Sequence, residues 1–419
     1  MNETWKQRWL LLIWWLVALV TAVWSYHWVD PNLTLFAWGP FVEWQTWMWS
    51  QARNVAAVTW QYIVLLGVWW TAYAFTVQSS RRGPERIIPR WALLALAGSI
   101  GFLWLGQNAL SHDIFNYLFN AKMVVQYQAN PHVAVALDFA HDPWTRFMHN
   151  THTAAPYGWG WTLLSLLPYV LSGGKFLLAY FGMKLWMIVG LVLYLGSIWS
   201  IARQHFPRSA WWRWSLVAFH PLLLIETVLM GHNDVWMMWP VLVAMNWLCC
   251  QKSKHVWWKV ALSIVLFGLS IWIKLATIVL VPFLVWWLLP NGWDQRIVSL
   301  FVGAKRSDQL LRFARRYQAD IAAGLLLVPL MTARSQQFHP WYFIWVLSFV
   351  PFTRAQWWRA TLLGLSVSST FRYIPLMFAG WEYSPLVQTQ MRIVTWSGAF
   401  LGLGSFWLWK YIRQLRASK

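Results

Sequence analysis

Runs of apolar residues recur along the whole chain, separated by short polar stretches, and many approach the ~20 residues that carry a helix across a bilayer. They fall at about 9–26, 54–77, 91–110, 176–200, 214–230, 235–251, 260–273, 275–289, 319–333, 341–353, 360–380 and 393–409. This pattern predicts an all-α, polytopic transmembrane bundle of about twelve spans, with residues 1–419 forming a single integral membrane domain. The first run follows Lys6 and Arg8 but has no small-residue cleavage site, and another apolar run follows soon after, so it is expected to be a retained span. The stretch from Gly158 to Ser172 is apolar but short, contains Pro168 and runs into Gly173-Gly174. It predicts an interfacial or re-entrant helix within an outer-face segment, 111–175.

Composition agrees with this architecture. Hydrophobic residues make up 59% of the chain and charged ones 11%, against roughly a quarter charged in soluble proteins. A net charge of +20 would suit nucleic acid, but alternating the spans from a cytoplasmic N-terminus places most of the 33 Lys and Arg on the inner side. Nucleic acid is therefore not an expected partner. Membrane lipids are: the inner loop 290–318, with Arg296, Lys305, Arg306, Arg312, Arg315 and Arg316, suits anionic headgroups. Both termini are then cytoplasmic. Most of the 40 tryptophans are expected to serve as interfacial anchors, and composition does not single out which outer-face ones could stack on a sugar. Cys249 and Cys250 are adjacent and imply neither a disulfide framework nor a cysteine metal site.

The longest polar stretch, 111–157, opens on Ser111-His112-Asp113-Ile114-Phe115-Asn116-Tyr117. An acid where a membrane helix meets water, in a chain with 13 acidic residues, is a functional candidate. Phe115, Tyr117, Leu118, Ala121, Val124 and Val125 follow helical spacing and predict an amphipathic helix along the membrane surface, ending near Asn130-Pro131. Asp113 would stand at its N-terminus, as a base or simply as the N-cap. His112, His132, His141, His149 and His152 lie in the same segment. His149 and His152 have i,i+3 spacing with Asp138, His141 and Asp142 nearby, yet no established metal motif appears. No cofactor is expected, and a divalent metal is the alternative.

A second cluster, Gly231-His232-Asn233-Asp234, presents an imidazole, an amide and a carboxylate where a plain turn would also use Gly and Asn. Glu226 precedes it inside an apolar run and serves either function or a structural hydrogen bond. Lys274 sits at an apex between two spans, Arg334 and His339 precede Pro340-Trp341-Tyr342, and Arg372 lies inside a span. An isolated guanidinium there needs an anion, whether a lipid-linked phosphate or a carboxylate such as Glu382 or Asp234.

Together these residues resemble the GT-C membrane glycosyltransferases that use polyprenyl-phosphate sugars, and most closely the bacterial mannosyltransferases among them. The similarity lies in the Asp113 element followed by aromatics, Asn130-Pro131-His132, Pro156-Tyr157-Gly158, Gly231 to Asp234, Ile273-Lys274, and Pro340-Trp341-Tyr342 with Trp345. It spans about residues 100 to 350. His132 stands where tyrosine is usual, and Trp159 where proline is common. The resemblance implies inverting transfer of a mannose-like sugar from a polyprenyl-phosphate donor to a glycan or lipid-linked acceptor. The reaction would take place on the extracytoplasmic face of a bacterial plasma membrane, in building the cell envelope. Asp113 would be the base. Lys274, Arg334 and Arg372 would stabilise the leaving phosphate, and His112, Tyr117, Asn130, His232, Asn233, Asp234 and His339 would contact substrate. The competing reading is a transporter or flippase for a lipid-linked saccharide.

Overall fold

The computed structural model describes residues 3–29, 32, 34, 36–82, 87–250, 257–289, 292–331 and 338–417. Arg334 lies outside the described residues, as do the side chains of Cys249 and Cys250. Among the described residues every regular element is helical. α1 (Glu3–Trp24) leads through a 3-10 turn (Ser25–Trp28) to α2 (Gly39–Gln51), α3 (Val55–Arg82), α4 (Arg90–Leu105) and α5 (Asp113–Val125). After 3-10 turns at Ala136–Phe139 and Pro143–Phe147 come α6 (Trp159–Leu171), α7 (Phe176–His205), α8 (Ala210–Ala218) and α9 (Pro221–Leu224). α9 runs into a π turn (Ile225–Leu229), followed by α10 (Asp234–Cys250), α11 (Trp257–Ile273), a 3-10 segment (Leu275–Leu280) and α12 (Val281–Leu288). The remainder is α13 (Trp293–Val302), α14 (Ala304–Arg316), α15 (Gln318–Leu325), α16 (Phe343–Leu347), α17 (Gln356–Phe371), α18 (Tyr373–Phe378) and α19 (Pro385–Ala417).

Three of these are long and apolar enough to cross a membrane: Trp5–Trp28, Val55–Arg81 and Phe176–His205. A fourth is reached only by joining the bent pair Leu275–Leu288 and Trp293–Val302. Of the twelve expected spans, three fall on helices that meet both criteria among the described residues. Most of the other apolar runs are cut short by identifiable breaks. The run 91–110 stops at extended Gly106, 214–230 breaks before Pro221, 341–353 is interrupted ahead of Pro351, and 360–380 turns at Arg372.

Helix packing uses small residues where backbones must approach. α17 and α19 cross at Gly364, Gly398 and Gly402, where an added Cβ would meet the partner helix backbone. Ser368 Oγ closes this contact by donating to the Thr395 carbonyl at 2.5 Å.

The segment that feeds Asp113 is anchored from two sides. α4 ends at Leu105, and fully buried Lys184 on α7 donates to the Gly106 carbonyl at 2.6 Å, satisfying an acceptor at the helix C-terminus. Asn108 accepts from Tyr180 at 2.5 Å and donates to the Met230 carbonyl just after the π turn. These bonds satisfy a buried, non-helical stretch.

α5 is covered on more than the one apolar face its spacing predicts. All its residues from Ile114 to Met123 are buried. The apolar spacing describes one face, but Asn116, Asn120 and Lys122 on the other are covered too. Phe139, Trp144 and Phe147 of the two 3-10 turns pack with the core around it. Lys122 is accommodated by an ion pair with Asp142 at 2.5 Å and by the Trp144 ring at 4.2 Å.

Candidate active site

Three breaks in helical structure bring the site together: the start of α5, the turn between the π segment and α10, and the gap between α11 and the 3-10 segment at Lys274. Asp113 is the first residue of α5, and His112 occupies the N-cap position. The Asp113 carboxylate is therefore not spent on capping. Its Oδ2 accepts from the Tyr157 hydroxyl at 2.5 Å and lies 3.8 Å from His232 Nε2. Its side chain remains 18% exposed. Burial pushes the carboxyl up from the ordinary range, the Tyr157 hydrogen bond and the Lys274 charge oppose this, and the Asp234 charge adds to it.

Tyr157 is held in place by glycine. Gly158 donates its N–H to the Ile273 carbonyl at 3.0 Å, so close to Trp272 that a Cβ would collide with that backbone. Tyr117 stands behind it, hydroxyl to hydroxyl at 3.4 Å.

His232 is fully buried. One ring nitrogen lies 3.0 Å from Ser111 Oγ, and the other lies 3.2 Å from the Glu226 carbonyl oxygen and 3.0 Å from Glu226 Oε2. Its ring stacks on Trp341 at 3.8 Å. Burial, then the charges of Lys274 and His339, hold its pKa well below the usual histidine value, so it is neutral near pH 7. The loop turns through Gly231 at φ +76, where a side chain would press on Ile114 of α5.

Asp234 opens α10, fully buried, and pairs with Lys274 at 2.7 Å while accepting from Trp345 Nε1 at 2.5 Å. Lys274 Nζ is ringed by Tyr157, Tyr342 and Trp345 at 5.3, 5.8 and 5.9 Å. Among the described residues Asp234 Oδ2 and both polar atoms of the buried Asn233 side chain have no hydrogen-bond partner. Unpaired buried polar atoms at a site are those a ligand would satisfy.

His339 stacks on the other side of Trp341 at 4.3 Å, and burial with the charges of Arg372 and Lys274 lowers its pKa to about 3. Arg372 is buried at the α17–α18 joint and donates to Thr395 Oγ1 at 3.1 Å. Among the described residues no carboxylate forms an ion pair with it: Asp234 is taken by Lys274, and Glu382 is exposed.

The structure thus brings Asp113, Tyr117, His232, Asn233, Asp234, Lys274, His339 and, beyond them, Arg372 toward one region. Two candidates fall elsewhere. Asn130 is exposed and accepts from the His132 N–H at 2.9 Å, shaping a turn. His112 faces away from the carboxylate: its Nδ1 lies 3.1 Å from the Phe147 carbonyl oxygen and its ring stacks on His149 at 3.6 Å. Burial, then His149, lowers its pKa to about 4. Tyr157, Ser111 and Trp345 stand in the motifs quoted from the sequence, which assigned them no role in the site. For Tyr157 the signal was its place before a glycine in a polar loop. Among the described residues no three His, Cys, Asp or Glu side chains converge as a metal site.

A family model described as MptA_B family, alpha-(1->6)-mannopyranosyltransferase, N-terminal domain, matches residues 11–290. The match takes in Asp113, Tyr157, His232, Asp234 and Lys274 and ends before His339 and Arg372. Searches of curated proteins and of solved structures returned no match.

Proposed function

The chain belongs to the alpha-(1->6)-mannopyranosyltransferase family, a GT-C type, and on that premise we propose that it moves mannose from a polyprenyl-phosphate donor to a glycan or lipid-linked acceptor, with inversion, at the extracytoplasmic face. The observation that carries this reading is the contrast among three carboxylates. Asp234 is fully buried and neutralised by Lys274, and Glu226 is buried against His232 and Tyr373. Asp113 alone of the three is partly open, and among the described residues the basic side chain within ion-pair distance of it is neutral His232, not a lysine or arginine. A base must reach the proton it removes, and burial has raised its affinity for that proton.

In the proposed step the acceptor hydroxyl gives its proton to Asp113 as its oxygen bonds to the anomeric carbon. The bond from that carbon to the phosphate oxygen breaks, and polyprenyl phosphate leaves with the electron pair. Tyr157 holds the carboxylate by its hydroxyl and, with neutral His232, fixes where it points. Arg372, buried without a carboxylate partner, and Lys274 supply positive charge for the leaving phosphate. The unpaired amide of Asn233 and Asp234 Oδ2 are suited to sugar hydroxyls. Replacing Asp113 with asparagine tests the reading, since the amide keeps the shape and loses the base. Transfer should fall at least about a hundredfold while donor binding persists.

A further inference from the structure

A cavity of about 780 Å³ opens beside the site, bounded by the end of α1, the α2–α3 connection, residues 107–112 and the Gly380–Tyr383 turn. That volume is ample for an oligosaccharide segment. Its wall includes Ser111 and His112, the two residues before Asp113. Three indoles contribute: Trp28, Trp49 and Trp381. The described lining holds one arginine, Arg53, which is exposed, and none of Lys274, His339 or Arg372.

Two features of the wall are unexplained by folding alone. Among the described residues the buried indole N–H groups of Trp28 and Trp381 have no hydrogen-bond partner, although the two rings meet edge to face at 5.4 Å. Trp381 also adopts φ +69, directly after Gly380 at φ +62. A bulky residue in the left-handed region is an outlier that the backbone does not favour, and such strain gathers where a side chain is held for a ligand.

We propose that this cavity is a saccharide subsite that seats the acceptor glycan, with Trp28, Trp49 and Trp381 as stacking faces. Pyranose rings offer C–H faces to aromatic rings and hydroxyls to polar side chains. A polyprenyl tail would set hydrocarbon against the polar part of this wall, Arg53, Ser111, His112 and His149. A phosphate would find a single rim cation. That the bound saccharide is the acceptor rests on the transfer reaction proposed above; that the cavity binds saccharide does not.

The test separates the two. Binding of α-(1→6)-linked mannotetraose is measured by saturation-transfer NMR on the Asp113→Asn full-length protein in nanodiscs, without donor, so loss of transfer has no bearing on the result. Saturable binding is expected, weakened on the order of tenfold or more by Trp381→Gly and by Trp49→Ala. Binding of polyprenyl phosphate should be unchanged in both. Glycine accepts φ +69, which offsets part of the core packing that Trp381→Gly removes, so its melting temperature is measured alongside. Trp49 is 37% exposed on α2, so its truncation keeps the test decisive if the glycine variant fails to fold. Absence of saturable mannotetraose binding to protein that still binds polyprenyl phosphate would overturn the assignment. So would equal binding by the variants, or a loss of polyprenyl-phosphate affinity in place of saccharide affinity.

Discussion

The Tyr157 hydroxyl donates to Asp113 Oδ2 at 2.5 Å, across 44 residues of chain, and is the shortest contact that carboxylate makes. It opposes the effect of burial, which raises the Asp113 pKa. In Tyr157→Phe that opposition is lost, so the carboxyl titrates at higher pH. Because a base must be unprotonated, the acid limb of the pH–rate profile for transfer should move upward in pH. A profile superimposable on the wild type would show that Tyr157 does not set the carboxyl's affinity for its proton.

Lys274 and Asp234 test a buried pair. Lys274 is 11% exposed and Asp234 not at all, so removing only the cation strands a carboxylate. Lys274→Met should cost about 3–5 kcal/mol of stability. Lys274→Met with Asp234→Leu should melt above the single variant while staying inactive. Thermal melts of the three proteins decide this, and a double variant no better than the single one would contradict it.

Two glycines make contrasting predictions. At Gly158 a methyl group has no room against the Trp272 backbone, so Gly158→Ala should displace Tyr157 and lower kcat by about tenfold or more. Gly173 sits at φ +58 with open space around it. Gly173→Ala should cost about 1 kcal/mol of stability and leave kcat alone. Matching kinetics for the two variants would refute the difference.

The Lys122–Asp142 pair sets an acid limit on stability. Burial raises the Asp142 pKa, but hydrogen bonds from Lys122, the Trp144 N–H and Tyr127, with the Lys122 charge, lower it further than burial raises it. A carboxyl with a depressed folded-state pKa stabilises above its unfolded value of about 3.9, and that stability disappears as pH falls through the folded value. The melting temperature of the wild type should therefore drop below pH ~4 more steeply than that of Asp142→Asn. Parallel curves would rule the pair out as the cause.

Much of the site was legible in the sequence because its residues stand at breaks in apolar runs. Asp113, His232, Asp234 and Lys274 each follow or interrupt a hydrophobic helix, and interruption is a local property. What was not legible is pairing over distance. Nothing local tells that Lys274 is neutralised by Asp234, or that Tyr157 reaches Asp113 while neighbouring His112 turns to His149. Asn130 looked functional because a polar residue before proline and a turn-forming one are the same residue. The helix at Asp113 was foreseen with its boundaries nearly right, but not its burial, because periodicity reads one face and misses partners that cover the other. The helix breaks within the apolar runs were not legible for a related reason. Hydropathy does not register the breaks at Gly106, Pro221 and Arg372. The Gly398–Gly402 pair on α19 carried a readable close-packing signal, spaced one helical turn apart.

The most direct test of the central claim is mannosyl transfer by the purified protein in lipid nanodiscs, from polyprenyl-phosphate mannose to an α-(1→6)-linked mannose acceptor, with Asp113→Asn alongside. The account predicts a new glycosidic bond with wild-type protein, inverted at the anomeric carbon relative to the donor, and at least about a hundredfold slower formation with the variant. Equal rates for the two proteins, or retention at the anomeric carbon, would contradict it.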